Sequence, residues 1–239
     1  MKRIHFEEIN STSSYLKENY EKYENLTFVS TDYQDTGHGR NNRIWFSEKG
    51  DNLLFSILIK DKDLFANVSD LSLASSVCIY NSLKKLGIGN ISIKWPNDVY
   101  VGDRKIAGIL LESVSYGKGI EAIVIGVGVN VNSRKFNEDL VNKTTSVYLE
   151  ISKQIDLKMF RELVYHECIE IITNVKNGNR FYLSVVKDNN YLLGKKVYAL
   201  INNKKELVEV IDINDDNSLR VKLNDTYINL RSGEVTFSV

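Results

Sequence analysis

The chain has 239 residues, 43% of them hydrophobic, and its 31 basic side chains balance 31 acidic ones, so the formal net charge is zero. That is apolar material for one large domain, or one domain with a small appendage, and with no basic excess and no basic terminal arm, nucleic acid is not an expected partner. Residues 1–30 lack the apolar segment of a secretory leader and no apolar run is long enough to span a bilayer, so a cytoplasmic protein away from membranes is expected.

In chain order, Ser11 or Thr12 caps a short helix reaching about Tyr20. A strand is expected near 27–33, then a glycine- and charge-rich loop ending at Trp45, then an apolar strand over 52–59. Residues 64–86 read as a helix closed by Gly87, and strands follow at 91–94, 99–101, 105–113 and 120–131. Over 157–175 the apolar residues Phe160, Leu163, Val164, Cys168, Ile171, Ile172 and Val175 recur at helical spacing, with Asp156 as N-cap and Asn177-Gly178 as the stop. His166 lies off that stripe and is expected to face solvent. Cys78 and Cys168 each sit in an apolar helical pattern and are expected as reduced core residues. After about Asn190, short alternating segments at 196–200, 207–213, 219–223 and 227–230, separated by Asn202-Asn203 and Asp215-Asp216-Asn217, read as a small barrel of antiparallel strands. The expected division is 1–189 and 190–239.

The most informative stretch is Lys94-Trp95-Pro96-Asn97-Asp98 followed by Lys105-Ile106-Ala107-Gly108, which holds the chain's only proline. Proline fixes its own φ and pushes Trp95 toward an extended conformation. Gly102-Asp103 reads as a hairpin turn, and Lys105 opens the returning strand. Two lysines, an amide and a carboxylate around one rigid corner suit an anionic ligand; the competing reading is a buried tryptophan beneath a hairpin with solvated lysines. Strict alternation puts Lys105 and Gly108 on opposite faces, so both can touch one ligand only through a bulge or a late strand start.

Two glycine-rich segments complete the pattern. Gly37-His38-Gly39-Arg40-Asn41-Asn42 follows a strand but lacks a third glycine and a following helix, so it fails as a dinucleotide fingerprint. It remains a loop whose Arg40 and Arg43, with His38, can meet phosphate or carboxylate oxygens, or an ordinary surface loop. In Gly126-Val127-Gly128-Val129-Asn130-Val131-Asn132, Ile125, Val127, Val129 and Val131 share one face, while Gly126, Gly128, Asn130 and Asn132 share the other. A face bare for two positions and then polar lets a flat ligand lie against backbone, or lets another backbone cross closely.

Together, Ser11-Thr12, the loop Gly37-His38-Gly39-Arg40-Asn41-Asn42-Arg43-Ile44-Trp45, Lys94-Trp95-Pro96-Asn97-Asp98, Lys105-Ile106-Ala107-Gly108 and Gly126-Val127-Gly128-Val129-Asn130 resemble, in order, the motifs of the biotin protein ligases. The resemblance implies an α/β (α+β) catalytic domain, a mixed β-sheet flanked by helices, related to class II tRNA synthetases, followed by an SH3-like domain. It implies activation of biotin by ATP as biotinoyl-5′-adenylate, with Mg²⁺ accompanying the nucleotide, then transfer to a lysine of a biotin carboxyl carrier protein. No DNA-binding role is expected, because the motifs begin within the first turns of the chain; a homodimer is compatible.

By the same resemblance Ser11, Thr12 and Gln34 bond the ureido ring, and Gly37, His38, Gly39, Arg40, Lys105, Gly108 and Gly126 complete the biotin site. Arg40, Arg43, Trp45, Lys94, Asn97, Asp98, Lys105 and Asn130 would take the nucleotide. Lys105 and Arg40 are the expected catalytic residues, because adenylation concentrates negative charge at the α-phosphorus, where fixed cations stabilise the transition state. Asp98 would orient Lys105, help hold Mg²⁺ or cap the hairpin; no dedicated metal cluster is expected. Arg231 is a candidate for reaching the nucleotide from the C-terminal side. The chain departs from the family pattern at His38, where arginine is usual, and at Asn42, a frequent glycine. The rival readings are a lipoate or octanoate ligase, whose Arg-rich triple-glycine segment is missing here, a non-catalytic biotin-binding regulator, and a binding-only relative.

Overall fold

A seven-stranded sheet carries the site in the computed structural model, which describes residues 2–39, 44–117, 119–201 and 204–232. Its strands are β1 (Arg3–Phe6), β2 (Thr27–Thr31), β3 (Leu53–Ile59), β4 (Ile91–Lys94), β5 (Asp98–Val101), β6 (Arg104–Tyr116) and β7 (Gly119–Val129), ordered β1-β2-β3-β7-β6-β5-β4. β1 and β2 are parallel and the other neighbouring pairs antiparallel, so the sheet is mixed as expected. β1 was not expected: an edge strand of four residues with no fully buried side chain gives no pattern to read.

Among the described residues the α-helices are α1 (Thr12–Asn19), α2 (Val68–Lys85), α3 (Val147–Ile151), α4 (Leu157–Lys176) and α5 (Phe181–Asp188). Alternation in the strands divides the interior. Phe28, Phe55, Ile57, Ile125 and Val127 pack with α2, α4 and α5 in the large core. Their neighbours Val29, Leu58 and Val124 pack with Leu16 of α1 in a smaller core on the opposite face. The helix ends follow the expected caps. Ser11 Oγ accepts from the Ser14 N–H at 3.3 Å, Asp156 Oδ1 from the Lys158 and Met159 N–H groups at 2.8 and 3.2 Å, and Gly87 and Gly178 take left-handed φ of 85° and 77°. α2 starts later than expected because residues 62–67 form a 3₁₀ turn capped by Asp61. His166 is exposed.

Cys78 and Cys168 correct the expectation of separate thiols: they form a disulfide between α2 and α4, with Cα atoms 5.4 Å apart. Both positions are buried on facing turns, so the same apolar pattern that hides each sulfur also brings the two together.

The C-terminal strands β8 (Lys196–Ile201), β9 (Lys204–Ile213), β10 (Leu219–Leu223) and β11 (Thr226–Leu230) form an antiparallel sheet ordered β11-β10-β9-β8. Among the described residues it is an open ladder; no pairing closes it into the expected barrel. The expected turn at Asn202-Asn203 lies outside the described residues. The inner face of this sheet, with Val197, Ala199, Val208, Val210 and Val221, joins the same core as the large sheet. β4 continues the connection: Ile93 N–H donates to Asn189 O at 2.8 Å and Tyr191 N–H to Ile93 O at 3.0 Å. Among the described residues no helix is long and apolar enough to cross a membrane.

Candidate active site

The corner after β4 is held from several sides. The Trp95–Pro96 peptide is cis, Ser72 Oγ on α2 donates to Pro96 O at 2.9 Å, and Asn97 Nδ2 donates to Ile109 O at 2.6 Å. Trp95 is buried, as the competing reading had it, but the lysines are not simply solvated. Lys94 Nζ donates to Tyr100 Oη at 3.3 Å and lies over the Tyr100 and Tyr191 rings. Lys105 Nζ sits 2.7 Å from Asp98 Oδ1 and 5.6 Å from the Trp45 ring centre. That ion pair is compatible with Asp98 orienting Lys105, while Asp98 Oδ1 is buried with no hydrogen-bond partner of good geometry among the described residues.

A β-bulge resolves the parity of β6. Val99 pairs with Ala107 and Tyr100 with Lys105, so Ile106 has no partner across the ladder. The extra residue turns Lys105 and Gly108 to the same side, and a Cβ on Gly108 would lie 2.9 Å from Lys105 Nζ. Residues 143–145 pin the same strand: Lys105 N–H donates to Lys143 O at 2.8 Å, and Thr145 N–H to Lys105 O at 2.9 Å.

β6 and β7 supply the floor. Gly108 pairs with Gly128 and Leu110 with Gly126. The Trp45 indole lies flat against this strip; a Cβ on Gly128 would meet it at 2.4 Å. Trp45 Nε1 is buried and has no hydrogen-bond partner among the described residues, a donor left for something else to satisfy. Asn130 ends the strip and donates from Nδ2 to Thr145 O at 3.1 Å. Asn132, on the same alternation, instead brackets Ile155 through its amide and stays out of the cleft.

At the other end the start of α1 makes a neutral polar wall. Thr12 Oγ1 and Ser13 Oγ both bond Ser56 Oγ, at 2.8 and 2.9 Å, and a Cβ on Gly126 would sit 2.5 Å from Ser13 Oγ. Ser11 also caps the helix, so both roles considered for it are open together. Thr12 N–H donates to Gln34 Oε1 at 3.4 Å. A Cβ on Gly37 would lie 2.3 Å from Gln34 Nε2, so its bareness gives Gln34 room beside the cleft. The glycine loop closes at its base, where Trp45 N–H donates to Gly37 O at 2.8 Å and His38 bridges Ile44. Arg40, Asn41, Asn42 and Arg43 lie outside the described residues. His38 Nε2 stands 3.6 Å from Glu112 Oε1, which Lys17 also holds at 2.6 Å.

These parts enclose one cleft of about 380 Å³. Ser11, Thr12, Gln34, His38 and Gly39 line it at the polar end. Trp45, Gly108, Gly126 and Asn130 line its middle, and Lys94, Asn97, Asp98 and Lys105 the cationic end. Sequence reading missed Ser13, Phe136, Leu140, Lys143 and Thr144, which also face it. The last four come from an irregular segment with no periodic pattern to read. Among the described residues no group of three metal ligands occurs.

The family model "Biotin/lipoate A/B protein ligase family" matches residues 5–130, over half the chain, and spans nearly all of these elements. The chain belongs to the biotin/lipoate A/B protein ligase family. Within it, the bifunctional ligase/repressor BirA of Salmonella typhimurium is 32% identical over 198 residues, covering 82% of this chain and 62% of BirA. A Mycobacterium tuberculosis biotin–[acetyl-CoA-carboxylase] ligase is 24% identical over 213 residues, covering 85% and 76%. The Aquifex aeolicus biotin protein ligase, solved in complex with biotin and ATP, superposes with a TM-score of 0.88 at 26% identity, over 99% of this chain and 98% of that one. The chain thus spans a little under two thirds of the first curated relatives it matches.

Proposed function

We propose that this protein is an ATP-dependent biotin ligase that forms biotinoyl-5′-adenylate and passes the biotinoyl group to a carrier-protein lysine. One observation carries the reading: a single cleft runs from a neutral hydroxyl and amide wall, across a glycine-bared floor, to a cluster of amines around Lys105. A neutral ureido ring, rich in donors and acceptors, suits Ser11, Thr12 and Gln34. The acyl chain crosses Gly126, and its carboxylate arrives beside Lys105. Trp45, Asn97, Asn130 and Lys94 take the nucleotide, and Lys143 adds a further amine on that side. The relatives named above as biotin ligases support the choice of acid.

In the first step a biotin carboxylate oxygen attacks the α-phosphorus of ATP; the P–O bond to pyrophosphate breaks and pyrophosphate leaves. Lys105 touches both the carboxylate and the phosphate oxygens and stabilises the charge that builds between them. Asp98 keeps its ammonium aimed inward. Arg40, one of the two catalytic residues expected from sequence, and Arg43 would add positive charge for the same phosphate. Mg²⁺ fits as a metal carried by the phosphates, with Asp98 the carboxylate lining the cleft, since such ions keep few protein ligands. In the second step the neutral lysine amine of a biotin carboxyl carrier protein attacks the acyl carbon, the C–O bond to AMP breaks, and the amine proton passes to solvent. Residues 1–189 form the ligase unit in this reading and 190–239 a smaller domain.

The test is the mass of a biotin carrier domain after incubation with enzyme, ATP and biotin. The expected result is one added biotinoyl group, dependent on all three. Pyrophosphate exchange driven by lipoate or octanoate but not by biotin would overturn the choice of acid; exchange without transfer would reduce the protein to an adenylate-forming regulator.

A further inference from the structure

The turn between β9 and β10 reaches into the large domain. Asn217, at its tip, is buried with a left-handed φ of 65°, and its carbonyl accepts a 2.9 Å hydrogen bond from Trp95 Nε1. The Asn217 side chain is held on every side. Nδ2 donates to Asp70 on α2 and, at 3.4 Å, to Ser69 Oγ. Oδ1 accepts from Arg180 Nη2 at 3.1 Å and from Tyr182 Oη at 3.2 Å. Arg180 Nη2 also pairs with Asp70 at 2.9 Å, and Arg180 Nη1 donates to Asp215 O at 2.5 Å. The first turns of α2 therefore hold the corner twice: directly through Ser72 and Pro96 O, and indirectly through Asp70, Asn217 and Trp95.

Purely interdomain adhesion would not require this arrangement. An apolar contact holds two domains together without fixing a rotamer, whereas a buried N–H to carbonyl bond fixes the plane of the Trp95 indole. Trp95 is at once 2% exposed and part of the cleft wall, and its backbone leads directly into Asn97 and Asp98. A displaced turn at 214–218 would leave an indole donor buried and unmet, and the corner would relax with it.

We infer that Asn217 is a positioning residue for the ligand cleft: the small C-terminal sheet sets the Trp95 indole, and through it the corner carrying Lys94, Asn97 and Asp98. The functional readout rests on the biotin ligase reading; the spectroscopic one does not. Asn217→Gly tolerates the left-handed backbone and keeps the acceptor carbonyl, but loses the side-chain bonds that fix the turn. Trp95→Phe keeps a ring and loses the donor.

Two measurements decide the matter on full-length protein whose fold is checked by circular dichroism. In a Trp45→Phe background Trp95 is the sole tryptophan of the two in the chain. Its emission is expected to shift red, and acrylamide quenching to increase, on adding Asn217→Gly. With Trp45 intact, biotin and ATP affinities by calorimetry are expected to weaken about ten-fold in Asn217→Gly, and no further when Trp95→Phe is added, because the two act through one bond. Unchanged Trp95 emission, or unchanged affinities with only a lowered Tm, would overturn the inference, as would losses that multiply in the double variant. If the wild type bound neither probe, the biotin ligase reading would fall, and the Trp95 emission arm would decide the positioning role alone.

Discussion

The floor and the roof of the cleft are built by opposite means. The floor is the β6–β7 ladder, where regular pairing from Ala107–Val129 to Ser113–Ile123 fixes every backbone atom and glycine keeps the surface bare. The roof, among the described residues, is irregular chain at 34–39, 44–46 and 133–146, and it carries apolar side chains into solvent: Ile44 is 80% exposed and Phe46 52%. The contrast teaches a division of labour. On the proposed ligase reading, the laddered floor with its fixed amine would govern whether chemistry occurs, and the irregular roof how long a ligand stays.

The sharpest way to break that division is Lys105→Ala. Removing a preorganised cation from the floor should lower biotin-dependent pyrophosphate exchange by about 10²–10³-fold while the fold, checked by circular dichroism, persists. A loss no greater than that of a roof substitution would end the distinction. Next in size is Gly128→Ala, whose Cβ would strike the Trp45 ring at 2.4 Å. The ring must leave the strip, at a cost of about 1–3 kcal/mol if it finds no new seat. Calorimetry should show the nucleotide side weakened more than biotin, with a red shift in Trp45 fluorescence. His38→Arg probes the roof alone. A permanent cation beside Glu112, 3.6 Å from the present imidazole, should slow release of the adenylate several-fold in a stopped-flow chase, with little change in its rate of formation. Release as fast as or faster than wild type would contradict it.

The smallest expected effect separates stability from both regions. Asp61, hydrogen-bonded to Lys176, and Asp216, hydrogen-bonded to Ser218, are both held below the ordinary carboxylate pKa. Groups depressed in this way stabilise the fold above their unfolded value of about 3.9, and that contribution fades as pH falls through the lower folded value. Thermal melts should therefore lose Tm below about pH 4, and Asp61→Asn should flatten that acid limb without altering exchange at neutral pH. At the alkaline end, burial pushes the Tyr182 hydroxyl up to about 12, so its neutral form favours the fold until pH climbs toward that value.

Much of the floor was legible because it obeys a period. Alternation alone assigned Ile125, Val127 and Val129 to the core, as found, and put Gly126, Gly128 and Asn130 together on the other face, which lines the cleft. Caps at Ser11 and Asp156 and the stop at Gly178 were legible for the same reason: each is a local rule satisfied by local residues. What escaped was set by partners distant in sequence. The disulfide across α2 and α4, the bonding of Asn217 to Trp95 and the roof residues Phe136 and Leu140 have no periodic signature, whereas the bulge at Ile106 was legible as one of two ways to bring Lys105 and Gly108 to one side. Asn132 shows the limit from the other side, since correct alternation placed it on the ligand face, yet its amide is consumed by the backbone of Ile155. Gly37 is bare for a reason alternation does not show, since a side chain there would collide with Gln34.

The unpaired Ile106 makes the hairpin sensitive to counting rather than to composition. Three peptide steps, an odd number, separate Lys105 from Gly108, and only the bulge lets them share a face; straightening the ladder with the sequence unchanged would turn the Lys105 amine to the side opposite Gly108. Anyone transplanting this hairpin to another scaffold must carry its irregular pairing along, because the ammonium's address is written in the bulge between Lys105 and Gly108.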